Sequence, residues 1–130
     1  MNPFEQHGAF SWFELMTTKP EAAQQFYSQL LGWALEESLV DGIPYTVVKV
    51  GGQEVGGMMG MPPNAPAMPP TWGVYITVEN VEETTQKATE LGGKVLMPPH
   101  DIPGVGRFSL IQDPQGATFY AITYSAPQQG

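Results

Sequence analysis

The chain has no cysteine, which excludes disulfides, thiolate catalysis and cysteine-bound metals together. It is poor in positive charge: five basic residues face thirteen acidic ones, for a net charge of −8. With no Lys/Arg cluster, such a surface repels phosphate backbones and anionic lipid, so nucleic acid and membrane are not expected partners. No apolar run approaches the roughly 18 residues of a membrane helix. The N-terminus lacks the basic patch and apolar stretch of a secretory signal. A cytoplasmic location is the expectation. Histidine is scarce too, with only His7 and His100.

What is present suffices for a folded domain. Apolar residues make up 42% of 130, an ordinary share for a globular core. A domain of this size buries roughly two thirds of the surface its unfolded chain exposes.

The chain reads as two halves with the same order of elements. Residues 10–16 form an aromatic-rich strand. Thr18 and Glu21 have the spacing of a capping box, Pro20 suits a first turn, and Gly32 stops the helix that follows. Strands are expected over about 33–38, 44–50 and 54–61, with Gly51-Gly52 as a turn. Five prolines within residues 62–70 mark a linker. The pattern then restarts with a strand over 72–78 and a cap at Asn80. A helix follows to Gly92, then strands over 94–97, 106–112 and 117–124. Asp113-Pro114-Gln115-Gly116 is the turn before the last strand. Thr18 and Asn80 stand 62 positions apart, and the helix-ending Leu-Gly pairs 60 apart. A repeat near half the chain length lets each copy cover an apolar face of its sibling.

These residues carry a resemblance. Phe26-Tyr27 with Leu31-Gly32-Trp33, Val78-Glu79-Asn80-Val81 and Asp113-Pro114-Gln115-Gly116 resemble the signatures of the vicinal-oxygen-chelate superfamily of glyoxalases, bleomycin-resistance proteins and dioxygenases. Asp101 to Phe108 is similar to a branch of small glyoxalase-like proteins and hydroxylases. The resemblance implies an α+β fold of two tandem βαβββ modules, about 8–61 and 72–125, forming a cupped mixed sheet around a ligand. In metal-dependent members His, Glu or Gln on the first and last strand of each module hold one divalent ion. Counting from the motifs, those positions fall here on Trp12, Gly73, Tyr120 and the stretch Gly57–Met59. None offers imidazole or carboxylate, so no cofactor is predicted and the usual metal is disfavoured.

Alternation then places Glu14 beside Trp12 and Tyr75 beside Gly73 on the cup face. Trp12, Glu14, Met58, Tyr75 and Tyr120 are the expected ligand-binding residues, walls for a small apolar or planar molecule. Glu14, between Phe13 and Leu15, is the candidate acid/base, against a purely structural role. His7 and His100 read as loop histidines, and Arg107 as a surface ion pair. Gly51-Gly52 and Gly56-Gly57 lack the Lys-Ser/Thr of a phosphate loop. The leading expectation is a glyoxalase-like protein binding a small organic molecule. The alternatives are a lyase, isomerase or oxygenase using Glu14 or an unforeseen metal, and a drug-sequestering resistance protein. Homodimers are frequent in the superfamily, so a homodimer stays open.

Overall fold

A computed structural model describes residues 1–61 and 69–125. Most of the proline-rich linker expected over 62–71 therefore lies outside the described residues, while Thr71 already belongs to a strand. The chain divides into two compact units, Trp12–Gly73 and Met1–Ser11 together with the chain from Val74 onward.

The Trp12–Gly73 unit holds most of β1 (Phe10–Thr17), α1 (Pro20–Leu31), β2 (Ala34–Val40), β3 (Ile43–Val50) and β4 (Gln53–Gly60). Its strands run in the order β2-β3-β4-β1, antiparallel except for the parallel β1–β4 pair. The helix opens on Pro20 behind Lys19, which makes no side-chain cap. The expected Thr18–Glu21 box does not form. Instead the Thr17 hydroxyl accepts the Lys19 N–H, and the ring of Pro20 already sets helical φ at the first turn. At the other end Gly32 adopts φ 71° and donates to the Ser28 carbonyl, a left-handed stop that a side chain would strain. Asp41-Gly42, both at positive φ, closes the β2–β3 hairpin. α1 lies on Leu15, Val48 and Met58, with Ala23 and Tyr27 supplied by the helix.

The second unit contains most of β5 (Thr71–Thr77), then α2 (Val81–Glu90), β6 (Lys94–Ile102), β7 (Gly106–Gln112) and β8 (Thr118–Tyr124). Its order is β5-β8-β7-β6, with β5 parallel to β8. Here the cap is as the sequence implies: the Asn80 side chain accepts the Glu83 N–H at 3.1 Å. Val78, Val81, Ile111 and Ala121 form the core under α2. Residues 8 and 9 join this unit through hydrogen bonds between Gly8, Ala9 and Thr77. Each unit is one βαβββ module, so the α+β class read from the repeat holds.

One strand is longer than expected. β6 continues through Pro98-Pro99 and His100, so His100 sits on a strand and not in a loop. The prolines are tolerated because β6 is the last strand of its unit's order, and register shifts flank them.

Candidate functional site

The β1–β4 register sets the chemistry of the first module. Leu15 pairs with Met58, and both point into the core beneath α1. Glu14 pairs with Gly57, one residue out of phase, and therefore belongs to the opposite face. That face also carries Trp12, Met16 and, from β3, Tyr45.

Three of these side chains form a directed chain of hydrogen bonds. The Trp12 indole N–H donates to the Tyr45 hydroxyl at 2.8 Å. The Tyr45 hydroxyl donates to Glu14 Oε1 at 2.8 Å. The indole nitrogen only donates, so the Tyr45 oxygen accepts from it while the phenolic proton is directed at Glu14 Oε1. Glu14 is 6% exposed and Tyr45 9%, so the carboxyl group is held in a low-dielectric setting by a specific donor. Tyr45 escaped the sequence reading: its only signal was an aromatic residue on a strand, and its partners are far away in sequence.

Gly57 makes this arrangement possible. A Cβ at that position would overlap the hydroxyl end of the Tyr45 ring. The phenol thus occupies the space into which a side chain from residue 57 would project.

The second module holds the corresponding positions differently. Aligning its register, Ile76 opposite Ala121, with Leu15 opposite Met58 puts Tyr75 in the place of Glu14 and Tyr120 in that of Gly57. Phe108 takes the place of Tyr45. Tyr75 and Tyr120 stack with ring centroids 4.4 Å apart and planes 10° from parallel. Phe108 leans on both, and His100 packs edge-on against Phe108 at 4.2 Å. One module presents a carboxylate in a polar relay, the other an aromatic stack.

The expected residues are thus distributed as follows. Trp12 and Glu14 come together, with Tyr45 between them. Tyr75 and Tyr120 come together in the other module. Met58 departs from the expectation: it is fully buried against Leu15 and Val48, because the one-residue offset from Gly57 turns it toward α1. Met68 lies outside the described residues.

The superfamily's metal positions, Trp12, Gly73, Tyr120 and Gly57–Met59, do not fit a divalent ion. They offer an indole, no side chain, a phenol already stacked on Tyr75, and a glycine whose space the Tyr45 ring fills. Among the described residues no cluster of three or more His, Asp or Glu side chains stands elsewhere. His7 accepts the Glu79 N–H through Nδ1 at 3.0 Å, a structural tie.

The second unit carries two further features of its own. Tyr124 hydrogen-bonds Ser11 at 2.7 Å and meets Phe4 edge-on, and burial pushes its phenol pKa up. Arg107 pairs with Glu82 and Asp101, the surface bridge anticipated from its sequence context. It lines an open groove of about 410 Å³ with Asn80, Ile102 and Tyr124. A smaller apolar cleft of about 200 Å³ lies between Phe13, Trp33, Val48 and Trp72 in the first module.

Residues 9–120 match the family model of the Glyoxalase/Bleomycin resistance protein/Dioxygenase superfamily. The chain belongs to that superfamily. CFP32 of Mycobacterium tuberculosis, a provisionally assigned glyoxylase, is 42% identical over 123 residues, covering 94% of this chain and 46% of its own length. The anthracycline biosynthesis protein DnrV of Streptomyces peucetius is 30% identical over 125 residues, 86% of this chain and 46% of its own. The chain thus spans about half the length of these curated relatives. Among solved structures, a hypothetical protein of Bacillus halodurans shares the fold with a TM-score of 0.71 at 12% identity, over 96% of this chain and 100% of that one. Methylmalonyl-CoA epimerase of Mycobacterium tuberculosis gives 0.63 at 16%, over 92% and 89%. At such identities these two superfamily folds speak for architecture alone.

Proposed function

We propose that this glyoxalase-like protein binds a small organic molecule on the face of the first module that carries Trp12, Glu14 and Tyr45, without a divalent metal. The observation that carries the reading is the buried Glu14 carboxyl group, held by the Tyr45 phenol that Trp12 in turn donates to, on the sheet face opposite α1. Trp12 and Met16, half-buried on either side of Glu14 in the strand, supply flat and pliable walls. A relative named for anthracycline biosynthesis supports a small organic ligand. Tyr75 and Tyr120 are assigned an accessory role as an aromatic wall of the second module.

A thermal-shift screen of planar organic compounds, run with and without EDTA, tests this. A ligand at about 100 times its Kd stabilises the native state by about 2.7 kcal/mol, which is read as a clear rise in Tm. The expected hit is insensitive to EDTA and is weakened by Glu14→Gln and Trp12→Phe. A stoichiometric divalent ion in untagged protein, needed for ligand binding, would overturn the metal-free reading.

A second reading, catalysis with Glu14 as acid/base, is favoured by the same buried carboxyl group. It requires turnover of a bound compound that stops in Glu14→Gln while binding persists.

A further inference from the structure

The first module has a second concave surface, on the opposite side of β1 from Glu14. Phe13 pairs with Gly56 and Leu15 with Met58, so Phe13 and Gly56 share the face on which α1 lies. There Phe13, Trp33, Val48, Val55, Gly56 and Trp72 line the apolar cleft of about 200 Å³. We propose that this cleft binds the quaternary ammonium head of a small molecule, through cation–π attraction to Trp33, Trp72 and Phe13. The site is separate from the Glu14 face and stands without it.

The rings are positioned by one another. Tyr27, on α1, stacks on Trp33 with centroids 5.5 Å apart and planes 15° from parallel. It also packs at right angles to Trp72 at 5.4 Å and accepts the Trp72 indole N–H at 3.1 Å. The two indoles then stand at 88° to each other, with centroids 5.8 Å apart. Perpendicular indole planes with Phe13 as a third wall form an aromatic corner, and ring π-systems attract a cation placed over them. Gly56 adds no side chain to this space, and buried Val48 lies at its floor.

The lining selects the kind of cation. None of the six residues carries a carboxylate, hydroxyl or amide side chain, and the Trp72 N–H is engaged by Tyr27. A primary ammonium brings three donors, which these rings would leave unpaired as water is displaced. A trimethylammonium group has charge, an apolar shell and no donor, so it loses no hydrogen bond there. Its charge also sets it apart from a neutral group of the same shape. Residues 12–73 carry six acidic and two basic side chains, a net of −4, and one of the two bases, Lys49, is tied to Glu36. The field of this unit therefore draws a cation and repels an anion. The cleft's volume of about 200 Å³ is below the roughly 300–1,000 Å³ of pockets for drug-sized ligands, which suits one head group on a short chain.

The test uses the full chain and three probes: choline, neohexyl alcohol, which is its neutral isostere with carbon in place of nitrogen, and ethanolamine, a primary ammonium. Binding is followed by NMR at matched ionic strength through the indole N–H resonances of Trp12, Trp33 and Trp72. Choline is expected to shift Trp33 and Trp72 saturably and to leave Trp12, which is outside the cleft, in place. Its affinity should exceed that of the alcohol by about 5-fold or more, the factor that about 1 kcal/mol of cation–π attraction supplies. Ethanolamine should bind more weakly than choline. Trp72→Leu and Phe13→Leu each keep an apolar side chain at a position 38% and 43% exposed, so the fold persists, with far-UV circular dichroism as the check. Each should weaken choline binding and narrow its margin over the alcohol. Equal affinity for choline and the alcohol would overturn the cationic class, and equal affinity for ethanolamine would overturn the choice of a quaternary head. A margin unchanged in both variants would overturn the role of the rings. A shift of Trp12 alone, or no saturable shift, would overturn the site while the reading of the Glu14 face stands.

Discussion

Gly57→Ala isolates the contact on which the candidate site depends. Gly57 has no positive φ, so its backbone accepts alanine without strain. On chain entropy alone that change would stabilise the protein by about 0.4–1 kcal/mol. The new methyl group, however, would overlap the Tyr45 ring at its hydroxyl end. Overpacking of a fixed side chain costs about 1–3 kcal/mol. If the ring gives way instead, its bonds to Trp12 and Glu14 are broken, worth about 1 kcal/mol for the first and about 1.5–3 for the second. Net of the entropy gain, Gly57→Ala is destabilising by up to about 2.6 kcal/mol if the ring holds and by about 1.5–3.6 kcal/mol if it gives way. In a Tyr45→Val background the obstruction is absent, and the same change should be neutral or stabilising by up to about 1 kcal/mol. The coupling between positions 45 and 57 is then about 1–4 kcal/mol, outside the few tenths seen for independent sites. Urea unfolding of the four proteins, followed by far-UV circular dichroism with m held common, measures it. Equal effects of Gly57→Ala in both backgrounds would refute the claim that the Tyr45 ring occupies the space above Gly57.

Three further outcomes follow from the packing and the hydrogen bonds. Met58→Ala should cost about 2–5 kcal/mol by urea unfolding, since the side chain is wholly buried beneath α1. Asn80→Ala removes the bond to the Glu83 N–H and should cost about 1 kcal/mol, read as a lower Tm, whereas Thr18→Ala should cost little because Thr18 is not the cap of α1. Tyr124→Phe tests the raised phenol. A group whose folded pKa exceeds its unfolded value of about 10 contributes stability below that pH and loses it as pH rises through the folded value. Wild type should therefore lose its advantage over Tyr124→Phe between neutral pH and pH above 10, and a gap that is constant with pH would contradict the burial of that hydroxyl.

The elements legible in the sequence were those written in local chemistry. Asn80 followed by Val81-Glu82-Glu83, the Leu-Gly stops at 31–32 and 91–92 and the Gly51-Gly52 turn act over a few residues, and the structure places each as read. Thr18 and Glu21 misled because proline at position 20 begins the helix with Lys19 ahead of it, and the competing local bond goes to Thr17. His100 was assigned to a loop because two prolines precede it, and the edge position that excuses them is a property of strand order.

The site was legible only to the resolution of strand phase. Alternation puts Glu14 on the strand face of Trp12, where the two share the Tyr45 hydroxyl, but the phase of β4 could not be fixed within the run Gly56-Gly57-Met58-Met59, where two glycines and two methionines give no periodic signal. A shift of one residue there decides whether Met58 lines the ligand face or the core, and pairing of Glu14 with Gly57 sends it to the core. The same pairing explains why Tyr45 could not be anticipated. It lies 31 positions from Glu14, and what qualifies it is the empty space over a glycine on a third strand. From the sequence, the stretch Gly57–Met59 read as lacking a metal ligand. In three dimensions the space of a side chain at Gly57, on the last strand of the module, is taken by a phenol from the strand beside it. That phenol serves Glu14.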